Sequence, residues 1–284
     1  MKRLLLIELD KALHNFWFIV STGIGVVLAC CSAFLCVQTQ MTSGGLVMSQ
    51  TEWLGLGATG AFNAWLPTAV GDGFVSDLFF LLSPLLMVIP YAWSMRSEMI
   101  HGSLSQQCVR ATRSQVIRAR YCAVFISGAL VMFVSLLINF VILLCCIPAS
   151  VPEVSSNLYI GLQEMDMWSW LFFTYPWAYV LAVLCFDSIL AGLWAGLVLA
   201  ISTLIDNRVV LLVGSFLLSV GFALLNSYGF SLMRMNGFAF NLTDLLHRAN
   251  GGFVRTPLGV IAFVLPVIVV SACLLFLQKR RDLL

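Results

Sequence analysis

The stretch WSWLFFTYPWAYVLAVLCFDSILAGLWAGLVLAISTLI, residues 168–205, holds a single charge, Asp187, in 38 positions. A helix needs about 20 apolar residues to cross the hydrocarbon core of a bilayer. The stretch is therefore too long for one straight crossing and barely long enough for two. Two crossings need a tight turn near Asp187, yet LCFDSIL (184–190) has neither Gly nor Pro to make one. Pro176 is the better break. Residues 168–175, with Trp168, Trp170 and Tyr175, then read as an aromatic segment at headgroup level. One span follows, from about 177 to 205.

Outward from this span, five more apolar runs are long enough to cross: 16–37, 75–95, 119–147, 209–226 and 257–277. The chain has 284 residues, 61% hydrophobic and only 10% charged, where soluble domains carry about 25% charged residues. Pro84 and Pro90 predict a kink in the run 75–95, tolerated where neighbours re-satisfy the freed backbone groups. The run 16–37 exceeds the roughly 7–15 residues of a signal peptide's apolar core, so it reads as an uncleaved first span. Residues 1–284 form one membrane domain. Six spans put both termini on one side, and the positive-inside rule selects it. With the termini in the cytoplasm, twelve of the fifteen Lys and Arg lie inside, and only Arg234, Arg248 and Arg255 lie outside. Dividing 168–205 in two would move Arg208 and the terminal Lys279-Arg280-Arg281 outside.

The N-terminal segment KRLLLIELDKALHNFW (2–17) places Leu6, Leu9, Leu13 and Trp17 on one helical stripe, with Lys2, Glu8 and Lys11 elsewhere. It reads as an amphipathic helix in the inner interface. On the outer side, SYGFSLMRMNGFAF (227–240) is apolar enough to dip into the membrane as short re-entrant helices, which need protein or a water-filled cavity around their backbone. The fold class is thus an all-α membrane protein with six transmembrane helices, an N-terminal interfacial helix, a short cytoplasmic helix between spans two and three, and re-entrant helices before the last span.

Few motifs point to chemistry in this chain. GLGATG (55–60) matches GxGxxG but lacks the strand and helix that a dinucleotide site requires. No GxxxxGK[ST], HExxH or GxSxG occurs, and His14, His101 and His247 are scattered. Neither catalytic nor metal-ligating residues emerge, and a net charge of +2 gives no field for nucleic acid. Asn241-Leu242-Thr243 is a glycosylation sequon facing outward. The nine cysteines lie mostly in apolar runs and read as small buried hydrophobes; one disulfide between Cys36 and Cys145 or Cys146 stays open.

Three features stand out within spans. Asp187 is a carboxylate deep in a span, where such groups face a partner, a cavity or the bundle interior. Asn139 in span three is a candidate companion. Ser188, Gly192, Gly196 and Ala200 recur every four residues, a spacing that lets helix backbones approach closely, within the chain or in a dimer. Asp187, Asn139, Gly192 and Gly196 are accordingly candidates for a substrate path or a helix contact.

Between spans two and three lies the polar island SMRSEMIHGSLSQQCVRATRSQVIRARY (94–121), with five Arg and one Glu. Ser103 to Gln106 fits a capping box and predicts a helix from about 104 to 112, with Leu104 and Cys108 on one face and Arg110 and Arg113 on another. Part of this charge serves to hold the loop inside; its length and cap suit docking into a groove on a cytoplasmic partner. SEMIHGSL (97–104), with Glu98 and Gly102, followed by Arg113, Arg118 and Arg120, resembles the loop of ABC-2-type permeases, the membrane subunits of bacterial ABC exporters. Arg120 stands where that family often has Lys, and a Pro frequent in the loop is missing. The resemblance implies a permease in the bacterial cytoplasmic membrane that forms a homodimer or heterodimer and binds a separate ABC ATPase through Glu98, Gly102, Arg110 and Arg113. ATP and Mg would be bound by that partner and no cofactor by this chain. The cargo class, whether peptide, lipid or amphipathic drug, stays open. The competing reading is an ion-coupled secondary transporter with Asp187 as its titrating group.

Overall fold

The computed structural model describes residues 2–42, 60–69, 74–94, 112–152, 162, 166–205, 207–233, 237–248 and 253–280. In chain order they form α1 (Lys2–Leu13), α2 (Phe16–Thr42), α3 (Ala61–Ala64), α4 (Phe74–Leu86), α5 (Arg113–Cys146), α6 (Ser169–Thr174), α7 (Pro176–Ile201), α8 (Arg208–Met233), β1 (Gly237–Phe238), α9 (Leu242–Leu246), β2 (Phe253–Val254) and α10 (Pro257–Arg280). The two strands pair in parallel over two residues, Gly237 with Phe253 and Phe238 with Val254. Among the described residues five helices, α2, α5, α7, α8 and α10, are long and apolar enough to cross a membrane. The chain is a multi-pass helical membrane protein.

The helix α7 runs unbroken through Asp187 and starts at Pro176, whose fixed φ and missing N–H suit the first helical position. It is the centre of the bundle: 67% of its most apolar stretch is buried within the protein, against 17% in α10. Small residues bring it close to α5. A Cβ at Gly192 would stand 2.7 Å from the Phe125 carbonyl oxygen, and one at Gly196 would stand 2.7 Å from the Tyr121 ring. Across the same seam a Cβ at Gly128 of α5 would stand 2.7 Å from the Ala195 Cβ. The stripe from Ser188 to Ala200 therefore packs inside this chain.

The apolar run 75–95 is regular only as α4, and its continuation over Met87–Trp93 is a series of turns. Its two prolines explain this, because each removes one helical N–H donor. The carbonyl that Pro84 leaves unbonded, Phe80 O, accepts from Ser83 Oγ at 2.8 Å. The carbonyl left by Pro90, Leu86 O, accepts from Ser21 Oγ of α2 at 2.5 Å. Beyond Pro90 the bonding mixes three- and four-residue spacing, as in Ser94 N–H to Tyr91 O and Ala92 N–H to Val88 O. The segment still passes from one end of the bundle to the other: Phe80 stacks on His247, and Tyr91 touches Glu8.

In α1, Leu6 is 64% exposed, while Glu8 and Ala12 are buried against the protein. Glu8 goes inward because it finds cationic and hydroxyl partners there. Before α10 the short helix is α9, Leu242–Leu246, while residues 227–233 continue α8 to Met233. No Gly-Pro or Asn-Gly break precedes Asn236-Gly237, so the helix has no reason to stop earlier.

Candidate functional site

Polar side chains gather at both ends of the bundle. At the α1 end, Glu8 Oε2 accepts from the Tyr91 hydroxyl at 3.0 Å and from Arg120 Nε at 3.3 Å. Lys11 Nζ stands 3.3 Å from Glu8 Oε1. Glu8 and Arg120 are both buried. Burial opposes the Glu8 charge, but Arg120, Lys11 and Tyr91 together hold its pKa below the ordinary carboxylate value. One ion pair thus joins α1 to the start of α5 and to the end of the segment that follows α4. Nearby, Asn15 Nδ2 donates to Pro90 O at 3.0 Å, and Arg208 lies 4.2 Å over the Trp93 ring.

At the other end, α9 and its flanks form a cap inserted among α4, α7 and α8. Asn241 starts α9 because its side chain accepts the Asp244 N–H at 2.7 Å, satisfying one unpaired donor of the first turn. Asn241 is fully buried, so the sequon is a helix cap and not an exposed acceptor. Asp244 Oδ2 accepts from Asn241 Nδ2 and Asn226 Nδ2, both at 2.8 Å. The C-terminal end of α9 is closed by Arg255. Its Nε donates to Asp244 O at 2.7 Å, and its two other nitrogens donate to the carbonyls of Arg248 and His247. Asp166 balances it, with Oδ1 3.7 Å from Arg255 Nη1 and accepting the Arg255 N–H at 3.0 Å. Burial lowers the Arg255 pKa to about 10, still well above neutrality.

Arg248 carries the cap to the bundle centre. Its Nη2 donates to Asp187 Oδ1 at 2.9 Å, with both side chains buried. Its guanidinium lies 5.5–5.9 Å from the rings of Trp168, Tyr179 and Phe186, a cation–π surround. Trp168 is held there with φ 69°, in the left-handed region, which costs a bulky residue roughly 1–2 kcal/mol. Burial works against the Arg248 charge, yet Asp187 and Tyr179 keep its pKa raised. Arg248 N–H also donates to Pro67 O at 2.9 Å. His247, beside it, stacks on Phe80 with ring centroids 4.5 Å apart. Burial and the nearby Arg255 charge push its pKa down to about 4. Asp77 Oδ1, 3.7 Å from His247 Nδ1, is 73% exposed and does not reverse this.

The residues singled out in the sequence separate. Asp187 and Asn139 are not partners. Asn139 Nδ2 donates to Ala29 O at 2.8 Å, and its Oδ1 accepts the Leu66 N–H at 3.1 Å. It fastens the buried segment 60–69 to α2 and α5, helped by Trp65 Nε1 donating to Leu136 O. Gly192 and Gly196 lie on the α5 seam. Arg113 is the first residue of α5, whereas Glu98, Gly102, Arg110 and the expected helix 104–112 lie outside the described residues. Cys145 and Cys146 are exposed free thiols, and Cys36 lies 4.0 Å from the Ala64 carbonyl oxygen instead. Among the described residues no three His, Cys, Asp or Glu are grouped as a metal site requires.

Sequence reasoning treated Arg248 and Arg255 only as outer-loop charges and missed Asp166, Asp244 and the Glu8–Arg120 pair. One local signal was present: Asn241 followed three residues later by Asp244 is a helix start. Comparison of the chain with protein families, with curated proteins and with solved structures found no match.

Proposed function

We propose that the chain is the membrane-spanning permease subunit of an ATP-driven ABC exporter of the ABC-2 type, in a bacterial cytoplasmic membrane. The observation that carries this reading is the buried Glu8–Tyr91–Arg120 contact. It ties the N-terminal helix to the two segments that flank the basic island, so a push on the island acts on α1, α5 and the chain after α4 together. In this reading residues 75–95 are the sixth, proline-broken crossing, and both termini are cytoplasmic. Glu98, Gly102, Arg110 and Arg113 meet a separate ATPase, which supplies the ATP and Mg chemistry this sequence has no phosphate-binding loop for. The permease works as a homodimer or heterodimer. The ion-coupled alternative has an observation against it: the Asp187 carboxylate is engaged by Arg248, not exposed to a coupling ion.

Co-expression with an ATPase encoded beside it tests the proposal. The two proteins should purify together from membranes. Charge reversal of Arg110 and Arg113 to Glu should lower transport-coupled ATP hydrolysis about tenfold or more, a common range of coupling energy, with insertion unchanged. Normal ATPase binding and coupling after replacement of residues 98–112 by a neutral linker would sink it, as would gradient-driven transport by the chain alone that Asp187→Asn abolishes.

A further inference from the structure

A cavity of about 480 Å³ lies between α4, α8 and α9, within the roughly 300–1,000 Å³ of small-molecule sites. Its walls are apolar, with Leu78 and Leu81 from α4 facing Val220 and Leu224 from α8. Its polar groups converge at the cap end, where Asp77, Asp244 and His247 line it beside Phe80. The mouth is open to the surroundings, since Phe74 is 78% and Leu224 52% exposed.

The charge at this end is one-sided. Asp77 is 73% exposed, and its nearest cationic candidate, His247 Nδ1, is 3.7 Å away, beyond hydrogen-bond reach. His247 stays neutral near pH 7. Among the described residues, the Arg255 charge is directed at backbone carbonyls and Asp166, and Arg248 is engaged by Asp187. No Lys or Arg lines the cavity among the described residues. The exposed Asp77 carboxylate at this end is a surface for a cation by its charge. The apolar walls add a second requirement.

We propose that this cavity binds a molecule with an apolar body and a protonated amine, the amine on Asp77 and the body between α4 and α8. That the molecule is exported cargo rests on the exporter reading; that it binds does not. The test uses the full chain in phosphatidylcholine nanodiscs, titrated with dansylcadaverine, an apolar fluorophore with a primary amine. Uncharged dansylamide and anionic 11-(dansylamino)undecanoate are the comparison probes, and tryptophan-to-dansyl energy transfer is read after subtraction of empty discs. Dansylcadaverine should saturate and be displaced by dodecylamine. Asp77→Asn should weaken it about tenfold, the loss of one charge-assisted contact, while Asp77→Glu retains it. Leu224→Trp, which fills the cavity from an exposed wall, should remove the signal with an unchanged melting temperature. Equal binding of the three probes, preference for the anionic one, or no effect of Asp77→Asn would each overturn the proposal and leave an unselective apolar groove. No ATPase is needed, so failure here leaves co-purification and coupling untouched, and their failure leaves this binding intact.

Discussion

Asp187 and Arg248 lie 61 positions apart and meet at 2.9 Å in the centre of the bundle. The pair is sparsely bonded: Asp187 Oδ2 and Arg248 Nε have no hydrogen-bond partner among the described residues. Two desolvated charges joined by one bond recover little of their desolvation cost, but removing one strands the other. Asp187→Leu or Arg248→Met alone should therefore lower stability by about 3–5 kcal/mol. The double variant should be less destabilised than either single one. Thermal or denaturant unfolding of the purified protein measures this, and additive losses in the double variant would count against the pairing. From the sequence Asp187 was legible as a costly residue needing a partner. The identity of that partner was not, because Asn139 and Arg248 are both remote from Asp187 in the chain.

At the scale of elements, the segment after α4 shows how a proline-broken apolar run is held together. Ser21 serves a carbonyl of another helix, and it is needed because Pro90 cannot. Ser21→Ala should cost about 1–3 kcal/mol, the penalty for a buried acceptor left unbonded. Adding Pro90→Ala supplies an N–H at position 90, so the double variant should melt higher than Ser21→Ala alone. If it melts lower, the Ser21 hydroxyl is not replacing the lost proline donor. The kink was readable from Pro84 and Pro90. The rescue was not, because Ser21 sits in a different helix 65 residues away. The cap tells the same story: the Asn241 start of α9 is local chemistry, whereas its Arg255 closure depends on a chain return through β2.

For the whole molecule, two titrating groups outside the crossing helices sit at opposite ends of the bundle and both oppose acid. His247 is held neutral with its pKa near 4, so it adds no penalty above its ordinary value of 6.5. As pH falls from 6.5 toward 4 the unfolded chain takes up a proton that the folded chain refuses, and stability falls, by at most about 1.4 kcal/mol per pH unit for one proton. Glu8, with its pKa lowered, stabilises above 4.5 and loses that contribution as pH drops below it. Melting temperature against pH should decline in those two successive windows. His247→Phe, which keeps a ring against Phe80, should flatten the upper window, and Glu8→Gln the lower one; a decline between pH 6.5 and 4.5 that survives His247→Phe would exclude His247 as its source. The positions of the apolar runs, the unbroken helix through Asp187 and the proline breaks were determined by the sequence alone. Entry into hydrocarbon depends on about 20 consecutive residues and on local hydrogen-bond supply. Which polar groups pair was decided only by the tertiary structure: Glu8 with Arg120 across 112 positions, Asp187 with Arg248, Arg255 with the end of α9. Lipid-facing and protein-facing surfaces of these helices are equally apolar, so hydrophobicity gave no direction to a side chain, and only packing brought the distant charges together.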